Sequence, residues 1–305
     1  MAVSAKQIKG KIASVKNVGK ITKAMELVSV SKMQKSVASL EKTRPYAAEA
    51  LAILGTISND IKSDHALLRH GDNAKNLVVL VSSNRGLCGS YNARIAKAAT
   101  EYLRRTEVKH GSQVDFVCIG RYAETAARRL RRDIKASFQD FDENSTYSDT
   151  IALANVVHEL YQTGEYWNVV VIYTDFISTL TSRPIARQLL PVKTSNVLDI
   201  LSDEPQQSID IESEAKVGFA EVQFEPSEGE ILDFVLRRLT DTQLFHALRE
   251  ALASEHSSRM VAMKNATENA DKLSDELKLT YNRARQASIT QEISEIASGA
   301  EALAG

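Results

Sequence analysis

The sequence predicts an α/β protein in which two long helices, paired as an antiparallel coiled coil, carry an inserted open α/β domain. Three observations predict it. Residues 4–57 carry apolar side chains at spacings of three and four. Three short apolar runs without polar alternation follow between residues 77 and 176. Neither Pro nor Gly then occurs from 231 to 298. A period near 3.5 indicates a helix packed along a narrow seam, and continuous β-branched runs separated by helical patterns indicate a parallel sheet covered on both faces.

The first helix is read from Ile8, Ile12, Val15, Val18, Ile21, Met25 and Val28, followed by Met33, Val37 and Leu40. Pro45 is expected to kink or interrupt it, yet the pattern resumes and reaches Ile57. Such a run is far longer than an ordinary globular helix and suggests a coiled coil.

The middle segment changes character. LVVLVSSN, VDFVCIG and NVVVIYTDF read as buried strands, and NARIAKAATEYLRR, YAETAARRLRR and SDTIALANVVHELYQTG as the helices between them. Residues 75–195 are therefore expected to form a Rossmann-like open α/β domain, following an N-terminal helix over 1–60. An acidic linker is expected over 196–226. A second coiled-coil helix spans 227–305, opening on acidic residues that suit a helix N-terminus. That helix, of roughly 75 residues, would be about 110 Å long. If the two helices are level at the base, the second outruns the first by about 25 residues, nearly 40 Å. The overhang, NRARQASITQEISEIASGAEALAG, then needs a partner in another chain.

Composition is that of an ordinary soluble chain, with 43% hydrophobic and 25% charged residues and a net charge of -1. That total conceals segregation. Residues 1–44 hold ten Lys/Arg against two Glu, whereas 195–230 hold ten Asp/Glu against one Lys. Such blocks form solvated faces more often than interaction surfaces. Two cysteines without paired spacing, Cys88 and Cys118, fit a reducing compartment. The first sixteen residues have no apolar core for a secretory signal; a basic, amphipathic transit peptide is the competing reading. No apolar run approaches the ~20 residues that span a bilayer.

The most enzyme-like stretch is the strand-to-helix loop SSNRGLCGSYNAR. Two glycines before a helix can cradle an anion, and Cys88-x5-Arg94 has the interval of a Cys-dependent phosphatase loop. Against this, RGL separates the strand from the Cys, Ile95 follows the Arg, and no G-x-G-x-x-G or G-K-[ST] is present. A structural turn is the favoured reading. The six histidines are scattered without a metal-ligand pair, and Asp175 at a strand end is read as a turn former rather than a catalytic acid. The N-terminal lysines flank an apolar stripe without interleaved aromatics, which disfavours nucleic acid.

KIASVKNVGKITKAMELVSVSKM, SSNRGLCGSYN and ARQASITQEISEIASGAEA, in that order over the full chain, resemble the γ subunit of F-type ATP synthases. The resemblance implies a rotor shaft with no active site, cofactor or metal of its own. Its coiled coil would turn inside a ring of α and β subunits. Its α/β domain would form a foot on the ε subunit and the membrane-embedded ring of c subunits, and proton-driven rotation would drive the β sites through their cycle. Cys88 and Cys118 do not form the regulatory cysteine pair of the chloroplast form.

By the same resemblance, Arg285, Gln286, Thr290, Gln291 and Glu292 match a segment contacting a β-subunit loop. Met25 faces an acidic β lever loop, with Lys20 and Lys23 as its electrostatic partners. Ile289, Ile293 and Ile296, among small Ala and Ser neighbours, form a smooth bearing tip. The implied location is peripheral, on the cytoplasmic face of a bacterial inner membrane, with the mitochondrial matrix face as the alternative. No nucleic-acid partner is expected.

Overall fold

A computed structural model of the chain describes residues 5–58, 65–71, 75–110, 113–192 and 227–304. The acidic stretch 196–226 lies outside the described residues. The chain divides into two compact units, one of Met1–Ser29 with Arg259–Gly305, the other of Val30–Ser258. Two helices run through both. The first, α1 (Ala5–Ser58), has 54 residues and passes through Pro45 without a break. A proline there forgoes one backbone hydrogen bond, a loss that a long helix can absorb.

The larger unit is built on strands β1 (Lys75–Val81), β2 (Val114–Ile119), β3 (Ile134–Phe138), β4 (Tyr166–Phe176) and β5 (Ser182–Leu190). Their order in the sheet is β3-β2-β1-β4-β5. The first four are parallel, whereas β5 returns antiparallel to β4. The helices are α2 (Tyr91–His110), α3 (Arg121–Arg129), α4 (Tyr147–Gln162) and the start of α5 (Glu228–Ala304), which has 77 residues.

Two strands are not among the apolar runs of the sequence, and both lie at sheet edges. In β3 burial alternates, with Lys135 and Ser137 outward, so no continuous run forms. Pro184 falls within β5, where an edge position makes its missing donor harmless.

Alternation along the central strands gives each face its own core. Val78, Leu80, Phe116 and Cys118 pack against α2 and α3 through Ile95, Ala99 and Ala127. On the other face Leu77, Val79, Val117 and Val171 meet α4 and the first turns of α5, including Leu236, Leu239, Leu244 and Leu248. Those four leucines are almost fully buried, each worth on the order of 2 kcal/mol. Polar contacts align the same helix. His158 Nε2 lies 3.0 Å from Asp241 Oδ1, and the Tyr147 hydroxyl donates to Asp241 Oδ2 at 3.3 Å. Ser254 Oγ donates to the Thr174 carbonyl at 3.2 Å.

The loop between β3 and α4 (139–146) is ordered from within. Asp142 Oδ1 accepts the backbone N–H groups of Asn144 (2.7 Å) and Ser145 (3.1 Å), and Thr146 with Asp149 forms the capping box of α4. Burial pushes the Asp142 carboxyl up, but the Asn144 and Ser145 donors outweigh it and hold it below its ordinary value. Glu143 is likewise partly buried, yet the Lys32 ammonium at 2.8 Å holds it low.

Gly120 is fixed by geometry. Its φ is 87°, and a Cβ there would lie 2.3 Å from the Ser82 carbonyl oxygen. Gly120→Ala is expected to cost roughly 2–4 kcal/mol in urea denaturation, since both strain and a backbone clash oppose it. A second expectation concerns acid. The depressed carboxyls bind fewer protons folded than unfolded, so their contribution is present above their unfolded values and fades as pH falls through the lower folded ones. Unfolding free energy should therefore drop between about pH 5 and pH 3, and by less in Glu143→Gln.

Candidate partner-binding surface of the helix pair

In the smaller unit the two helices are locked antiparallel by one polar pair. Thr22 Oγ1 and Thr267 Oγ1 are 2.7 Å apart, and Gly19 sits opposite Ala270, where a Cβ would come within 3.4 Å of the Ala270 Cβ. The pair has two hydroxyl protons for three contacts, so one threonine donates to the other, and the acceptor donates within its own helix, Thr22 to the Gly19 carbonyl (3.1 Å) or Thr267 to that of Met263 (2.9 Å). A paired polar contact inside a seam fixes register.

From this pair the seam follows strict alternation of four and three. On α1 it runs through Ile8, Ile12, Val15, Gly19, Thr22, Glu26 and Ser29, all buried or half-buried. On α5 it runs through Met263, Thr267, Ala270, Ser274, Leu277 and Tyr281. The apolar stripe expected from the sequence leaves this line after Val15. Val18, Ile21 and Val28 are 52%, 60% and 53% exposed. They belong to the neighbouring row, one residue or about 100° around the helix. Between Gly19 and Ser29 the α1 side of the seam is small and polar, facing Thr267, Ala270 and Ser274 on α5. Over that stretch Val18, Ile21 and Val28 form an uncovered ridge beside it with half-buried Met25 and exposed Leu27.

The residues singled out by resemblance fall into two groups. Lys20 and Lys23 are exposed on the paired region next to Met25, and Lys23 bonds Glu26 Oε1 at 3.0 Å. Arg285, Gln286, Thr290, Gln291 and Glu292 lie on α5 beyond the seam, and every residue from 285 to 300 is exposed. Ile289, Ile293 and Ile296 are 46%, 62% and 72% exposed. Gln291 Nε2 donates to Glu295 Oε1 at 2.9 Å along the helix surface. The second group starts fifteen residues past Ala270, roughly 22 Å along the axis, so the two groups form separate stations rather than one site.

The larger unit answers the enzyme-like alternative. Cys88 is buried within its own loop, where Asn92 Nδ2 approaches its sulfur at 3.3 Å. Arg94 turns elsewhere and donates to the Ser182 carbonyl (2.8 Å) and hydroxyl (3.2 Å), tying α2 to β5. Thiol and guanidinium thus serve different partners and share no anion site. Asp175 pairs with Arg183 at 3.2 Å across β4 and β5; burial, with Glu250 nearby, raises its carboxyl. In open α/β sheets ligands bind outside the carboxyl ends of strands where the order reverses. Here that place, after β1 and β4, is crossed by α5, whose Ala251 carbonyl accepts from the Tyr91 hydroxyl at 3.2 Å. Among the described residues no group of His, Cys, Asp or Glu could hold a metal ion.

A family model described as ATP synthase matches residues 4–303. The ATP synthase gamma chain of Alkaliphilus metalliredigens is 37% identical over 308 residues, covering 99% of this chain and all of the relative. The chain belongs to the ATP synthase γ-chain family. The gamma chains of Roseiflexus castenholzii (37% over 305 residues) and Coxiella burnetii (35% over 302) also align over nearly their whole lengths. A chain of the Euglena gracilis mitochondrial ATP synthase, in a structure of its OSCP, F1 and c-ring, shares the fold. It has a TM-score of 0.65 at 19% identity, covering 98% of this chain and 94% of that one. A Tetrahymena thermophila central stalk/c-ring structure gives 0.58 at 23% identity, covering 81% of this chain and 99% of that one.

The register can be checked in solution. Val18→Ser with Ile21→Ser should change folding stability by less than about 0.5 kcal/mol, because both side chains are exposed. Met263→Ala in the seam should cost about 2–3 kcal/mol. Equal costs in urea titrations would place the ridge in the seam.

Proposed function

We propose that the chain is the central shaft of a rotary ATP synthase and carries out no bond chemistry itself. It couples rotation of the membrane ring of c subunits to the conformational cycle of the catalytic β subunits. The observation that carries this reading is the surface of the smaller unit. An apolar ridge (Val18, Ile21, Val28) and a fully exposed helical overhang stand uncovered in a chain of this family. Contiguous exposed apolar surface marks a site covered by other proteins.

In this reading Met25 with Lys20 and Lys23 meets an acidic loop of a β subunit. Arg285, Gln286, Thr290, Gln291 and Glu292 grip a second β loop beyond the seam. Exposed charge pairs are weak and screened, which suits contacts that must break at every step of a rotation. Ile289, Ile293 and Ile296 would turn within an apolar collar, where small neighbours (Ala287, Ser288, Ser294 and Ala297) limit interlocking. The α/β unit would rest on ε and the c ring, at the cytoplasmic face of a bacterial inner membrane. Among the described residues no helix is long and apolar enough to cross a membrane. Support for a non-catalytic role comes from α5 lying across the carboxyl ends of β1 and β4.

Co-expression with α and β subunits should give a complex in which deletion of residues 288–305 lowers assembly yield and torque. The α/β unit of that variant should keep the protease resistance of the full chain. A chain that never co-purifies with α and β would overturn the reading.

A further inference from the structure

The two long helices are attached to the α/β unit by different physics. The base of α5 is part of the sheet's own core. Among the described residues neither apolar cluster contains a residue of α1. What reaches α1 instead is the ordered loop between β3 and α4. One carboxylate there faces both helices: Glu143 Oε1 accepts Lys32 Nζ of α1 at 2.8 Å, and Oε2 faces His256 Nε2 of α5 at 3.8 Å. Lys35 of α1 bonds the neighbouring Asn144 side chain. From α5, Arg249 donates to the carbonyls of Asp142 (3.4 Å) and Glu143 (3.2 Å) while its guanidinium stacks 4.9 Å above the Phe245 ring.

We propose that this loop is a torque latch, with Glu143 and Lys32 as positioning residues that tie α1 to the rotation of the α/β unit. The inference rests on the rotor reading. A shaft of two helices transmits a twist fully only when both are held at the driven end. Were α5 alone anchored, α1 could lag around it, and part of each step would be lost as slip. The latch is built for load. Its carboxylate is nearly buried, its backbone is pinned by Asp142, and its far end is continuous with the capping box of α4. Lys32 is one-third exposed, so it can be replaced without opening a core.

The test uses the assembled, membrane-bound complex, comparing ATP-driven proton pumping with ATP hydrolysis in the same vesicles. Lys32→Ala and Glu143→Gln should each lower the ratio of pumping to hydrolysis about threefold, as expected for loss of one partly screened ion pair. This chain should remain at wild-type stoichiometry, and Lys32→Arg, which keeps the cation, should hold the wild-type ratio. A wild-type ratio in Lys32→Ala with the chain fully incorporated overturns the latch. So does a Lys32→Arg variant that falls as far as Lys32→Ala. If Glu143→Gln fails to incorporate, Lys32→Ala decides alone. Absence of the wild-type chain from a complex with α and β would instead overturn the rotor reading, so the two failures are distinguishable.

Discussion

Everything in the larger unit depends on the burial of one sheet face by the start of α5. A parallel sheet needs cover on both sides, and α4 alone covers only part of the face formed by Leu77, Val79 and Val171. The remainder is taken by leucines of a helix that then runs on for dozens of residues. The cover layer and the long helix are thus one element. The sheet cannot turn without α5, and α5 cannot leave without exposing the core. The polar contacts from Ser254, Tyr91 and Asp241 orient this packing, whereas the apolar area holds it.

The smaller unit uses the opposite economy. The middle of its seam is lined by Gly19, Thr22, Ser29, Ala270 and Ser274, which offer little apolar area but allow close approach. Register there comes from one shared hydrogen bond between threonines rather than from interlocking leucines. Alongside that stretch Val18, Ile21 and Val28 stand on the outside. Contiguous exposed apolar surface of this kind is the feature on which the proposed contacts with other subunits rest.

Much of this was legible from the residues. The fold class, the two long helices and the three central strands follow from apolar periodicity, which is strong where burial is complete on both faces. β3 and β5 are silent because edge strands are half solvated. From Val18 to Val28 the apolar stripe runs one row beside the seam for a related reason: Gly19, Thr22 and Ser29 carry no apolar signal, whereas Ile8, Ile12 and Val15 lie on the seam as their spacing predicts. The overhang was visible from helix length alone. The loop at Glu143 was not, since its partners lie more than a hundred residues away on either side and its own sequence reads as an ordinary polar turn.

The exposed end of α5 also has a consequence for how it stays helical. A free peptide of some twenty residues in water must first nucleate a turn, an unfavourable step that leaves most such segments only marginally helical. Residues 285–304 skip that step, because they extend a helix already held by the threonine pair and the seam behind it. Each added residue needs only propagation. Their order is therefore borrowed along the axis from the end of the seam near Tyr281. A break just beyond that point would melt the residues past it, although they make no contact with α1.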